Sequence, residues 1–172
     1  MKKLLIVLIG LVFTSCVNVE TEVVKTDAEE SVSLQHPDFE KNKEIAQKFI
    51  DLHYAEDWEA QAELLHEDLD WSPPMYGSEN YGKAEHVEAM KMYQQMFDNI
   101  KFEADYWLPG VDPETGIRDG SVRTYGTWTG IHTESGKEWA LKSYHPMAFN
   151  DGKIIGGGDY FDFGGFMASF QE

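Results

Sequence analysis

Asp159 and His145 are the pair in this chain whose types and spacing suit acid–base chemistry. Asp159 lies in the run Asp151-Gly152-Lys153-Ile154-Ile155-Gly156-Gly157-Gly158-Asp159-Tyr160-Phe161-Asp162, which reads as a hairpin turn followed by a strand. A strand there carries a carboxylate into an apolar interior, which is costly unless the acid is paired or neutral. A carboxylate beside an imidazole runs general acid–base chemistry, the proton affinity of each set by the other. A raised pKa on Asp159 in an enclosed cavity would favour that chemistry. The same pair also suits a hydrogen-bonded contact in a packed core, and a packed cavity would favour that reading.

The turns supply the registers that join the pair. A three-residue loop Asn150-Asp151-Gly152, with Gly152 left-handed, pairs Phe149 with Lys153. That sets Ser143 opposite Asp159, His145 opposite Gly157 and Leu141 opposite Phe161. A turn at Thr133-Glu134-Ser135-Gly136 pairs His132 with Lys137, and so Thr124 with His145, Gly126 with Ser143 and Trp128 with Leu141. Opposite residues share a face because strand side chains alternate with period two. One face then carries Thr124, Trp128, Leu141, Ser143, His145, Met147, Ile155, Asp159 and Phe161, a mixture of apolar walls and convergent polar groups suited to a ligand. Asp159 and His145 become diagonal neighbours, and Gly126 and Gly157 leave space beside them. Arg123, Tyr125, Lys142, Tyr144 and Tyr160 fall on the other face.

The preceding chain alternates helical and extended patterns. Asp38 is placed to cap a helix with Ile45, Ala46, Phe49, Ile50, Leu52 and His53 on its apolar side. Asp57 caps a second, short one. Leu69–Tyr76 is extended, because Pro73-Pro74 forbids a helix. A third helix runs from Lys83 to Asp98 with Val87, Met90, Tyr93, Met96 and Phe97 as its stripe. Strands follow at Lys101–Leu108, Ser121–His132, Lys137–Phe149 and Lys153–Phe161, with a loop from Pro109 to Gly120. Helices first and an antiparallel sheet after make an α+β domain of about three helices. Trp71, Tyr76, Tyr93 and Trp107 are placed either to line a pocket or to fill the core, and Tyr93 is counted with the ligand set. His53 and His86 read as surface or rim residues of their helices. His66-Glu67-Asp68 and the loop acids Asp112, Glu114 and Asp119 match no standard metal spacing.

The N-terminus reads as a secretory signal: Met1-Lys2-Lys3, an apolar run from Leu4 to Phe13, then Thr14-Ser15-Cys16. Cys16 is the sole cysteine, which excludes an intrachain disulfide. Its setting resembles a bacterial lipobox, which implies acylation of Cys16 and removal of residues 1–15. Residues 16–37 then form an acidic flexible linker and residues 38–172 one domain. The full chain carries a net charge of −17, and loss of Lys2 and Lys3 makes it more acidic. Such a balance argues against nucleic acid and anionic lipid surfaces as partners. The location expected is extracytoplasmic and lipid-anchored, at an outer membrane where the organism has one.

Residues 40–170 resemble the SnoaL-like polyketide cyclases and the limonene-epoxide-hydrolase branch of the nuclear-transport-factor-2-like superfamily. The resemblance is densest from Gly136 to Phe161. It implies a cone of helices on a curved sheet enclosing one pocket. It also implies Asp159 as acid/base with His145 on the preceding strand, and no cofactor. A second His of the cyclase pattern is Gly157 here. Asp159-Tyr160-Phe161-Asp162 reproduces a run of the epoxide-hydrolase branch. That branch's Arg and second Asp fall on Gly126 and Trp128, and its water-holding Tyr and Asn on Trp71 and Pro73, so its triad is missing. Ser72-Pro73 stands where steroid-isomerase relatives carry a carboxylate before a Pro. Relatives commonly dimerise through the sheet, which points to a homodimer through Tyr125, Tyr144 and Tyr160. The partner expected is a small apolar or aromatic molecule. The functions left open are a cofactor-free isomerase, cyclase or dehydratase, a non-catalytic binding module, and an assembly domain with a residual pocket.

Overall fold

A computed structural model describes residues 36–171. The signal, Cys16 and nearly all of the linker lie outside the described residues. Helix α1 (Phe39–Tyr54) buries Phe39, Asn42, Ala46, Phe49 and Ile50, a stripe at helical spacing that faces the sheet. Asp38 occupies its N-cap position without a side-chain cap bond. In α2 (Trp58–Glu63) Asp57 does cap, its carboxylate accepting from the Ala60 N–H at 3.0 Å. Strand β1 (Leu65–Ser72) begins four residues before the expected Leu69 and ends at Pro73, which has no N–H for a ladder. Helix α3 (Lys83–Met96) follows, then strands β2 (Phe97–Val111), β3 (Arg118–His132), β4 (Glu138–Asn150) and β5 (Lys153–Gly158). The long loop expected over Pro109–Gly120 contracts to a turn over 112–117, in which Asp112 accepts the Glu114 and Thr115 N–H groups.

The five strands form one sheet in the order β1-β5-β4-β3-β2. Neighbours from β5 to β2 are antiparallel, and β1 adds a parallel edge against β5. Three register shifts in the β2–β3 ladder bend the sheet around the helices. The main core joins Phe39, Ala46, Phe49, Ile50, Leu65, Leu69, Trp71, Met90, Val122, Met147 and Ile154.

The β3–β4 register is the expected one: Thr124↔His145, Gly126↔Ser143 and Trp128↔Leu141. The β4–β5 register is not. Asn150 pairs with Lys153, so the loop has two residues, and Asp151 and Gly152 both take positive φ (49° and 74°) as a type I′ turn requires. Ile155 is then an extra residue, bulged between Phe149↔Ile154 and Ala148↔Gly156. Turn and bulge together move the ladder by two residues, to Met147↔Gly157 and Tyr144↔Tyr160. An even shift keeps the face and changes the partner. Asp159 therefore lies across from His145 rather than from Ser143, and Leu141 is not opposite Phe161. On the near side of the bulge the face inverts, and Ile154, not Ile155, is fully buried. Strand β5 stops at Gly158, short of the expected Phe161. The described residues include a fourth helix, α4 (Phe163–Ala168), capped by Asp162 accepting the Gly165 N–H at 2.9 Å. Gly164 and Gly165 hide it from a propensity reading.

Candidate functional site

Between the helices and the inner sheet face lies a cavity with about 100 Å³ of free volume. That is somewhat below the roughly 150 Å³ cavity known to hold benzene. Its walls are mostly apolar, among them Phe49, Ile50, Met90, Phe97, Leu141 and Phe161. Phe97, Trp139, Phe161 and Phe170 pack edge to face or tilted around Phe166 of α4, so α4 closes one side with aromatic rings. The polar lining is compact: His53, Gln61, His86, His145 and Asp159.

Asp159 follows the last ladder residue of β5, and its backbone N–H bonds to the Ser72 carbonyl at 3.0 Å. Its side chain is held by two donors. The Trp71 indole N–H reaches Oδ2 at 2.9 Å, and His145 Nδ1 meets Oδ1 at 2.9 Å. On the far side of the imidazole, the Trp128 indole N–H donates to His145 Nε2 at 2.9 Å, and the Ser143 hydroxyl lies 2.8 Å from the same nitrogen. An indole N–H only donates. Nε2 must therefore accept, and the ring proton must sit on Nδ1, pointing at Asp159. Two rigid tryptophans thus fix the polarity of the chain Trp128, His145, Asp159, Trp71.

Burial alone would push the Asp159 carboxyl up. The hydrogen bond from His145, the His145 and His86 rings beside it and the Trp71 N–H outweigh it and hold the carboxyl below its ordinary value. The direction is opposite to the raised pKa that would mark a buried acid. Asp159 is ionised at neutral pH, which makes it a proton acceptor and not a donor. Burial drives both His53 and His86 down to about 4, against an opposing pull from Asp159 and, for His53, from Gln61. Both rings are neutral at neutral pH.

The surface reading of His86 is overturned: the residue is 4% exposed, and its ring lies 4.3 Å from that of Trp71. His53 is part-buried, sits edge-on to Trp128 at 5.4 Å and also lines the cavity. Trp128, Leu141, Phe161 and Tyr93 line it as well. Ser143 does not, and reaches the site through His145. Thr124 is fully buried with its hydroxyl on the Tyr106 carbonyl, away from the cavity. Tyr76 is fully exposed, and Trp107 packs on the core. Among the described residues no group of three or more His, Cys, Asp or Glu is placed to hold a metal ion.

The SnoaL-like domain model matches residues 46–156. The chain belongs to the SnoaL-like family. No curated protein matches it significantly. Solved structures share the fold at low identity. A presumed isomerase from Bacillus subtilis superposes with a TM-score of 0.62 at 22% identity, over 73% of this chain and 89% of that one. An NTF2-like protein of unknown function from Burkholderia pseudomallei gives 0.60 at 16%, over 74% and 95%. TerC, co-crystallised with polyporic acid, gives 0.60 at 20%, over 77% and 99%.

Within this SnoaL-like domain the glycines do not leave open space beside the pair. A Cβ on Gly157 would stand 2.5 Å from Trp71 Cζ3 and 2.6 Å from the Pro146 carbonyl. A Cβ on Gly126 would stand 2.4 Å from Phe102 Cζ. Gly157, where the resemblance would put the second His of the cyclase pattern, is thus the seat of the Trp71 ring, which leaves no room for a side chain there. Gly157→Ala is expected to cost about 1–3 kcal/mol by overpacking and to move the indole off Asp159. Chemical denaturation and tryptophan fluorescence check this. A fully stable variant with an unchanged spectrum would contradict it.

Proposed function

We propose that this SnoaL-like domain binds a small, largely apolar molecule and transfers a proton on it without a cofactor, as an isomerase, cyclase or dehydratase does. The observation that carries the reading is the ionised Asp159, fixed by Trp71 and His145 at the polar end of an otherwise apolar cavity. A carboxylate oriented in a water-poor site is a general base whose proton acceptance needs no reorganisation. That TerC was co-crystallised with polyporic acid supports the small-molecule side of the reading. The free volume disfavours an assembly domain with a filled pocket. Epoxide hydrolysis lacks its triad. The test is a thermal-shift and native mass spectrometry screen, followed by turnover of each hit by wild type and Asp159→Asn. Equal rates would remove Asp159 from the chemistry.

A second reading is a binding module without turnover. It is favoured by the low proton affinity of Asp159, which makes it a weak base. Tight ligands that never react would establish it.

Acylation of Cys16, with residues 16–37 as tether and residues 38–172 as the domain outside the cytoplasm, completes the proposal. Mass spectrometry of the mature N-terminus is expected to find a lipidated cysteine; an intact Met1 would rule it out. Tyr125 and Tyr160 are 38% and 50% exposed, and Tyr144 stacks on Tyr125 at 4.6 Å, which supports pairing of two copies through this outer face. A monomer in sedimentation at micromolar concentration would remove the dimer.

A further inference from the structure

Helix α4 closes one side of the cavity with little to hold it in place. Tyr160 makes the last backbone bonds to the sheet, to and from Tyr144 at 3.0 Å. Beyond it, among the described residues, the backbone–backbone hydrogen bonds of residues 163–171 all run within 161–171. A helix of six residues is too short to stand alone. Gly164 and Gly165 weaken it further, because glycine is the poorest helix former apart from proline. What it docks on therefore keeps it ordered. Phe166 is its anchor, buried in a small cluster with Phe97 and Ile100 that is separate from the main core. Phe170 stacks on His132 at 4.4 Å, and the exposed Lys137 ammonium donates to the Ser169 carbonyl. Phe166 packs on Trp139 at 5.1 Å, and the Trp139 indole N–H is buried with no hydrogen-bond partner. A donor left so is costly, which offsets part of what the closed packing gains.

Phe166 also lines the cavity, whose free volume of about 100 Å³ is small for an aromatic ring. The space that the Phe166 ring fills is continuous with that volume. We propose that α4 is a gate hinged at residues 161–163, and that lifting Phe166 admits a two-ring apolar molecule, one ring of which takes the place of the Phe166 side chain. The proposal rests on the small-molecule reading of the cavity and is independent of proton transfer. The hinge lies just past the last bonds to the sheet, where a few residues at the end of an element can absorb the change of dihedral angles. Asp159 stays in place as the gate moves, because Ser72, Trp71 and His145 hold it from the other side of the hinge.

Two measurements on the full chain test the gate. In hydrogen exchange below the unfolding transition, the Phe166 and Ser169 amides are expected to exchange at least about tenfold faster than those of the β3–β4 ladder, and with little dependence on urea, as local opening does. In rapid mixing with biphenyl, followed by tryptophan fluorescence, the observed rate for wild type is expected to level off at the opening rate as biphenyl is raised. Phe166→Ala has no ring to withdraw. It is expected to lose the plateau and to bind biphenyl about tenfold more tightly, because the competent state is no longer a minor one. Phe166→Leu, which keeps the cluster better filled, is expected to fall between the two. Amides of α4 that exchange only together with the sheet would overturn the gate. So would a wild-type rate that rises without a plateau, or a Phe166→Ala affinity no higher than that of wild type. Biphenyl that binds none of the three proteins would overturn the two-ring ligand and count against the small-molecule reading, while the exchange of α4 would still decide the gate.

Discussion

Asp159→Asn is expected to lower turnover by about 10²–10⁴-fold, the usual contribution of a general base, while the affinity for a neutral ligand changes little. The substitution is isosteric but cannot satisfy its neighbours. Both carboxylate oxygens face donors, the Trp71 N–H on Oδ2 and the His145 ring on Oδ1. An asparagine has one oxygen, so its amide group must confront an N–H. His145 has no relief by moving its proton to Nε2, because the Trp128 N–H already points there. The variant is therefore also expected to lose about 1–3 kcal/mol, the penalty of a buried donor left unpaired. Trp128→Phe in the same background frees the tautomer and should recover part of that stability without recovering turnover. Measured kcat, Kd and denaturation midpoints separate these effects. A variant that is as stable as wild type would show that the imidazole polarity is not fixed as the geometry requires.

The inner face of the sheet was legible in the sequence because period-two alternation survives an even register error. The β3–β4 turn read correctly, so Thr124, Gly126 and Trp128 met the partners expected of them. The β4–β5 turn misled: Asp151-Gly152 makes a two-residue loop, and the bulge at Ile155 adds a further offset that no composition signal announces. The two changes sum to an even shift. Asp159 and His145 stayed on one face and moved from diagonal to opposite. Less legible was everything the cavity owes to helix rotation. Trp71, His53 and His86 come from β1, α1 and α3, and only the packing of those elements on the sheet turns them toward Asp159. His86 had one clue. With Met90 it lies at i, i+4 spacing on α3, on the stripe that buries Met90 and Gln94. The sign of the Asp159 shift was beyond reach, since burial raises the carboxyl and only the placement of His145, His86 and the Trp71 N–H around it turns the balance downward.

Stability is expected to fall steeply as the pH drops from 6.5 to about 4, well before ordinary carboxylates titrate. His53 and His86 are each held down to about 4 by burial, whereas unfolded imidazoles titrate near 6.5. Between those values the unfolded chain binds protons that the folded one refuses, so stability rises with pH across the window. The contribution is complete above 6.5 and lost by about 4. At pH 5 each imidazole accounts for a loss of about 2 kcal/mol, a large share of the roughly 5–15 kcal/mol that holds a domain folded. His53 keeps a partly exposed edge, so His86 carries the firmer half. Asp159 acts lower on the scale: its carboxyl is also depressed, so its contribution is lost only as the pH falls through its folded value. The net charge of −17 works the other way, because protonating surface acids relieves self-repulsion. Variants isolate the imidazoles from that background. Urea unfolding at pH 7 and pH 5 should show a smaller difference for His86→Phe than for wild type, and a smaller one still for His53→Leu with His86→Phe. The same slope in all three proteins would mean that the rings are solvated or protonated within the fold.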